Sequence, residues 1–379
     1  MAKKLVLHVG TPKTGTSTIQ GFMRTNRALL AKRSVAYPVR AFNKRSVSNA
    51  RNGHPIFYKA LQLAGYTDEL SASLTAYAEE GFRMLQEQAA GPCATTVLSD
   101  ESFWRLAACY PGALEALRSL GEQAGFGEFQ IVVYLRRQDL FLESTWNQRV
   151  KNGTSYVTTY DEFRTGEFAT KVTDYNSVLG CFEQAFGREN ITARIYDRSL
   201  LVAGDSAADF LSLLGLDAAQ FKPLKREIND SIKGNSWVEL KRIANHAPAY
   251  AKSGNFMRGA FKSLSVAVPE QQPGALMSPE ERRAYLAAFE EGNRAVAQRY
   301  FQRDELFGPQ KVDEQPKWEP SSLEMSRDAL LLAVEGLAEA NARVAELEER
   351  VRQLEGHAQQ PAGSSLNGLA VKIKRHLSR

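Results

Sequence analysis

The 379-residue chain is 43% hydrophobic and 24% charged, with a formal net charge of +5, a balance that excludes wholesale disorder and fits a globular protein. So small a positive surplus over this length suits an anionic ligand and falls short of a dedicated nucleic-acid binder. The three cysteines, Cys93, Cys109 and Cys181, include no CxxC pair, which argues against a disulfide framework and for a reducing, cytoplasmic compartment.

Lys3 and Lys4 precede an apolar run, LVLHV, that is too short for a secretory h-region and reads as a strand. No run of about 20 apolar residues occurs, which excludes an ordinary membrane span. KLVLHVG predicts a buried first strand, and STIQGFMRTNRALLAKR a helix with Ile19, Phe22, Met23, Leu29 and Leu30 at helical spacing. LTAYAEEGFRMLQEQ is a second helical pattern. ATTVLSD, Ala94 to Asp100, and FQIVVYLRR, Phe129 to Arg137, predict further strands, the latter continuously apolar as a strand covered on both faces should be. DLFLESTWNQRV returns to helical period, and ITARIYD, Ile191 to Asp197, is a weaker fourth strand. The β-α-β-α rhythm predicts an α/β fold, a P-loop-type central parallel sheet flanked by helices on both faces.

This domain is expected to span residues 1–310. A proline- and charge-rich stretch follows, with 311–322 as linker. Apolar residues then recur every seventh position at Leu323, Leu330, Leu337, Val344 and Val351, with Ala333, Ala340, Leu347 and Leu354 three positions after the last four of these. That pattern predicts a coiled-coil helix over 323–356, weakened at Ser326 and Gly336, and hence a homo-oligomer. Residues 357–379 read as a spacer and a basic amphipathic tail, LAVKIKRHLSR, a candidate for contact with an acidic membrane surface or a partner, as against a merely solvated end.

Chemistry concentrates at LHVGTPKTGTSTIQ. Gly10 and Gly15 have the spacing of the GxxxxGK[ST] phosphate loop, but the lysine, Lys13, lies between them and Thr16 follows the second glycine. Backbone amides from Lys13 to Thr18 at a helix N-terminus would make an anion cradle, Gly15 would let the main chain approach the ligand, and Lys13 would add a charge. A tight strand-to-helix turn would explain the glycine and hydroxyls without explaining the lysine. Farther on, Arg136 ends an apolar strand and Ser144 follows eight positions later on the next helix. In a parallel sheet ligands bind beyond the carboxyl ends of strands, so Arg136 stands where a second phosphate would be.

PKTGTST resembles the 5′-phosphosulfate loop of the sulfotransferases, whose pattern is PKxGTT. The Arg136–Ser144 spacing is similar to that family's 3′-phosphate site. The resemblance implies that the donor is 3′-phosphoadenosine 5′-phosphosulfate (PAPS), used without a metal, and that the fold is the sulfotransferase one over residues 1 to 300. It implies that Lys13 stabilises the bridging oxygen, with Thr14, Gly15, Thr16, Ser17 and Thr18 around the 5′ end, while Arg136 and Ser144 hold the 3′-phosphate. Tyr196 sits where several members carry a Tyr-Glu pair near the adenine, and Lys233-Gly234 resembles a later segment contacting the 3′-phosphate. The steroid and phenol enzymes have Trp where Thr18 stands, so the resemblance is to carbohydrate-modifying bacterial members, and the expected acceptor is a hydroxyl or amine of a carbohydrate or glycolipid. The segments Tyr37 to Asp68 and Tyr156 to Asp174 are expected to shape its cleft.

Transfer to a hydroxyl needs a general base. Glu101, in SDESFW, ends the second strand and is loosely similar to a Glu-Lys-Ser segment of carbohydrate sulfotransferases; a helix N-cap is the alternative role for its segment. His54, in NGHPIFYKAL, is the other candidate, on an expected loop over the site. His8, His246, His357 and His376 show no metal-ligand spacing. Two rival functions remain: a magnesium-ATP kinase with Asp100 as metal ligand, and a non-catalytic coiled-coil scaffold with a relic loop domain.

Overall fold

A computed structural model of the chain describes residues 2–39, 51–68, 70–153, 157–224, 232–246, 258–268, 274–308 and 314–358. The basic tail lies outside the described residues. Two compact units are formed, one from 1–230 with 273–318 and one from 231–272 with 319–379. The described residues 232–246 and 258–268, which fall inside the expected 1–310 domain, belong instead to the unit of the long C-terminal helix.

The first unit is built on five parallel strands, β1 (Lys4–His8), β2 (Val35–Ala36), β3 (Thr95–Ser99), β4 (Glu128–Leu135) and β5 (Ile191–Ile195), in the order β2-β3-β1-β4-β5. This is the α/β parallel sheet that the strand-helix rhythm predicts. β2 was not foreseen; with two residues it carries no periodic signal. The alternation of β1 and β4 shows why both faces are covered. Leu5, Leu7, Val9, Ile131, Val133 and Leu135 join one core, and Val6, Val132 and Tyr134 join another. On the second face lie helix α1 (Thr16–Ala31), with Ile19, Phe22, Met23 and Leu30 buried, and Phe210 and Leu211 of a later helix. On the first face lie α2 (His54–Leu63), α3 (Ala72–Ala90), α4 (Ser102–Cys109) and α5 (Ala113–Ala124). Each large side chain so buried contributes roughly 1.5–3 kcal/mol.

Register sets the site. His8 is level with Ser99 of β3 and Val132 of β4, so β4 overshoots β1 to Leu135. The crevice at the carboxyl end of β1, between outward-running halves of the sheet, is the switch point where such folds bind ligands. Helices α6 (Gln138–Asn152), α7 (Tyr160–Thr165), α8 (Glu167–Thr173), α9 (Tyr175–Phe186) and α10 (Ser206–Leu213) complete this part of the unit.

The second unit holds α11 (Asn235–Ala244) and α12 (Arg258–Ala267), then, after α13 (Pro279–Ala287) and α14 (Glu290–Phe301) of the first unit, the long α15 (Ser322–Ala358). Trp237, Leu240 and Phe261 form its core, with Met325, Leu331 and Leu332 of α15 packed against it. Ser326 and Gly336 do not break α15. Just before it, the expected linker is partly fastened to the first unit. The Ala275 amide donates to the Pro316 carbonyl (3.0 Å), the Trp318 amide to the Ala275 carbonyl (2.8 Å), and Lys317 pairs with Asp161 and Glu281.

Candidate functional site

Past β1 the chain keeps pairing with β4. The Val9 amide donates to Val132 (3.0 Å), Tyr134 to Gly10 (2.7 Å) and Thr11 to Tyr134 (3.0 Å). Thr14 Oγ1 then donates to the Thr11 carbonyl at 2.5 Å, which closes the turn. Lys13 and Gly15 both have left-handed backbone, φ 67° and 77°. That conformation is strained for lysine, at a cost on the order of 1 kcal/mol or more. At Gly15 a Cβ would lie 2.4 Å from Ser206 Oγ and 3.1 Å from Tyr196 Cε2, so the position admits only glycine. Among the described residues the amides of Lys13 through Ser17 meet no acceptor. They stand at the N-terminus of α1, as an anion cradle requires; the Thr18 amide, expected to join them, instead donates to Gly15 (2.9 Å).

The Lys13 ammonium donates to Gln148 Oε1 of α6 (3.3 Å). Burial holds its pKa below the usual lysine value, with Lys151 and Arg136 adding to the effect and Glu101 opposing it. Arg136 meets the loop directly, its Nη1 donating to the Lys13 carbonyl at 3.2 Å, and among the described residues it pairs with no carboxylate. Burial lowers its pKa too, against a raising influence from Tyr196. Ser144 is half-buried one turn before Gln148, on the same face of α6 as Gln148 and Lys151. Tyr196 follows β5, its amide bonded to the Leu135 carbonyl (2.7 Å). The start of α6 is held by buried charge: Arg137 and Arg282 clasp Asp139, at 2.6 and 2.5 Å, and Arg282 reaches Glu143 at 2.6 Å. Lys233 alone of the candidate residues belongs to the second unit, where its amide donates to Ser265 Oγ (3.1 Å).

Glu101 and His54 converge on the same end of the sheet. Asp100, fully buried, accepts from Arg51 Nη2 (2.5 Å) and from the Ser102 amide (2.7 Å) through Oδ1, and its Oδ2 lies 3.2 Å from His54 Nδ1. The cap of α4 therefore comes from Asp100, and Glu101 makes no capping bond. Glu101 instead accepts from Gln20 Nε2 of α1 (3.2 Å), with Arg51 Nε 3.7 Å away. Burial opposes ionisation of Asp100, but Arg51 and His54 outweigh it and hold its pKa below the carboxylate range. His54 is not on a loop. It is the first residue of α2, followed by Pro55 at a position where proline favours a helix start. Its ring lies against Phe57 (5.9 Å, stacked), Tyr58 (5.0 Å) and Tyr77 (6.3 Å). Gly53 makes this approach possible, since a Cβ there would lie 2.6 Å from the Phe103 ring and 2.9 Å from Asp100 Cβ. Asn52 ties the segment down by accepting from the Ser99 amide (2.8 Å) and donating to the Val97 carbonyl (2.9 Å).

Arg51, Gln20, Gln148, Lys151 and Ser206 went unrecognised in the sequence. Asp100, Glu101, Lys13 and Gly15, the partners of Arg51, Gln20, Gln148 and Ser206, lie 49 to 191 positions away, beyond any local pattern, although a buried glutamine amid the apolar stripe of α1 is a signal in itself. Among the described residues, no group of three or more His, Cys, Asp or Glu side chains could hold a metal ion, and no helix is long and apolar enough to cross a membrane.

Fold and site together define a parallel α/β protein whose glycine loop, at the carboxyl edge of its sheet, is backed by lysine and arginine. No family model matches the chain. It is 33% identical over 180 residues to an uncharacterized protein of Archaeoglobus fulgidus, a match covering 45% of this chain and 46% of that protein; the chain thus spans about half the length of the curated relative it matches. It is also similar to a sulfotransferase from Alicyclobacillus acidocaldarius, whose crystal structure aligns with 70% of this chain and 96% of its own at 14% identity and a TM-score of 0.34.

Proposed function

We propose that the protein is a sulfotransferase that moves a sulfuryl group from PAPS to a hydroxyl or amine of a carbohydrate or glycolipid. The observation that carries this reading is the bond from Arg136 to the Lys13 carbonyl, which joins the two anion-binding motifs at one crevice. The residues fit the donor in three respects. Among the described residues the loop amides meet no acceptor and Arg136 pairs with no carboxylate, and any Cβ would fill the Gly15 cradle. PAPS, when bound, supplies the activated sulfuryl group and its leaving phosphate.

In this reading Lys13, the amides of Thr14 to Ser17 and the hydroxyls of Thr16 and Ser17 bind the 5′ end, with Thr18 beside them, while the Thr14 hydroxyl holds the turn. Arg136 and Ser144 bind the 3′-phosphate, and Tyr196 stands near the adenine. Lys13, half-buried and left-handed, meets negative charge as it develops at the bridging oxygen. His54 is the base we favour over Glu101. His54 Nδ1 lies between Asp100 Oδ2 (3.2 Å) and Arg51 Nη2 (3.4 Å); in the tautomer whose Nδ1 proton faces Asp100, Nε2 is left to take the acceptor's proton, whereas Glu101 is engaged by Gln20 and Arg51. The half-buried rings of Tyr58 and Tyr77 offer faces for a sugar and support a carbohydrate acceptor. The kinase reading asks Asp100 to bind magnesium, and Asp100 is taken up by Arg51, His54 and the Ser102 amide. The same proposal keeps the enzyme in the cytoplasm, with its basic tail meeting an acidic membrane surface; co-sedimentation with anionic vesicles tests the tail.

Calorimetric titration with 3′,5′-adenosine bisphosphate, beside ADP with magnesium, tests the donor site. Metal-independent binding of the bisphosphate that is lost in Arg136→Ala is expected. Preference for magnesium-ADP would replace the proposal with the kinase.

A further inference from the structure

The first half of α15 uses one face. Glu324 and Asp328 are buried, Asp328 accepting from Ser236 Oγ of α11 (2.7 Å), and Leu331 and Leu332 pack on Trp237 and Phe261. The opposite face carries the heptad residues and is open to solvent along its length: Leu330 is 66% exposed, Leu337 65%, Val344 52%, Leu347 45%, Val351 52% and Leu354 61%. An apolar stripe of this length on a polar helix lacks its partner.

The stripe specifies that partner. With Leu330, Leu337, Val344 and Val351 at position a of the heptad, position d holds Ala333, Ala340, Leu347 and Leu354. The last two heptads thus pair β-branched a with Leu d, the combination that favours two strands. The flanking positions carry charges of opposite sign. Arg343 occupies g and Glu348 the e position of the next heptad, and the sequence repeats the pair one heptad on with Arg350 and Glu355. In a parallel, in-register pair of identical helices, g of one chain faces the following e of the other, so every such contact joins Arg to Glu. In an antiparallel pair g faces g and e faces e, which sets Arg against Arg and Glu against Glu. Arg343 and Glu348 are both exposed; Arg343 pairs with Glu346 one turn on, an exposed pair weak enough to be exchanged for a contact across the seam.

We infer that α15 binds a second copy of this chain as a parallel, in-register two-stranded coiled coil, centred on Val344 to Leu354 and oriented by Arg343–Glu348 pairs across the seam. The sulfotransferase reading plays no part in this inference.

The full chain tests it. Sedimentation velocity at micromolar concentration is expected to give a dimer, and a monomer or a trimer would overturn the inference. Val351→Cys places a thiol at a, where parallel copies meet; mild oxidation is expected to link it to itself, while Glu349→Cys on the outer face stays unlinked, each judged against the parent chain with its Cys93, Cys109 and Cys181. Failure of Val351→Cys to link in a dimeric sample would refute the parallel register. Glu348→Arg sets arginine against Arg343 of the other copy on both sides of the seam and is expected to raise the dimer dissociation constant roughly tenfold. Combining it with Arg343→Glu is expected to restore the parent value. An unchanged constant in Glu348→Arg would remove the charge pairing from the argument.

Discussion

Acidification should weaken the fold at one identifiable atom. His8 lies in the central strand, fully buried, with Nδ1 2.7 Å from Ser99 Oγ, its ring edge-on to Tyr134, and Nε2 without a hydrogen-bond partner. Burial pushes its pKa down from 6.5 to about 3, although Asp100 nearby pulls the other way. Between those values the unfolded chain takes a proton that the folded one refuses, so stability falls as pH drops, with a slope approaching 1.4 kcal/mol per unit. From pH 8 to pH 5 the loss from this residue is about 2 kcal/mol. Asp100 does not blur the window, because its carboxyl is held below the ordinary range and its stabilisation is lost only at lower pH. Urea unfolding at pH 8 and pH 5, followed by far-ultraviolet circular dichroism, should give the parent chain a pH-dependent loss about 2 kcal/mol greater than that of His8→Gln. Equal losses in the two proteins would refute the reasoning and mean that His8 can be charged inside the sheet.

Lys13→Ala is expected to abolish sulfuryl transfer while leaving the circular dichroism spectrum unchanged; retained turnover would remove the loop from catalysis. His54→Gln should lower kcat by roughly 100- to 10,000-fold and Glu101→Gln much less, and the reverse ranking would make Glu101 the base. Arg282→Ala should destabilise the first unit by roughly 3–5 kcal/mol, because it takes the paired cation from Glu143 and leaves the buried Asp139 with Arg137 alone; a denaturation midpoint close to that of the parent would count against this.

The loop and Arg136 were legible because each sits at a strand end that local periodicity marks, and Lys13 between two glycines has no purely structural reason to be there. His54 was legible as a residue but not as a helix start, since glycine and proline around it read as loop punctuation when only the proline's place at the first helical turn decides. The Asp100–Arg51–His54 cluster could not be read at all. His54 and Arg51 lie 46 and 49 positions before Asp100, and what brings them to it is Asn52, which bonds Val97 and Ser99 of β3. Likewise the proline-rich stretch before α15 looked like a free linker, because the bonds that fasten Lys317 and Trp318 go to Glu281 and Ala275, residues no local rule connects to them. The place of α11 and α12 in the second unit follows from tertiary packing around Trp237 and Phe261, which composition does not encode.

One amide links the sheet to the timing of the site. β2 pairs with β3 only through Val35 and Ala36, and beyond them the side chain of Asn52 stands in for the missing neighbour by bonding both Val97 and Ser99. A side chain can copy a strand only once the strand it pairs with is already extended, and the loop it closes runs across 45 residues, an entropic cost met late in folding. Arg51 and His54, on either side of Asn52, are therefore expected to reach Asp100 only once β3 is extended. Asn52→Ala should speed unfolding and leave the refolding rate almost untouched.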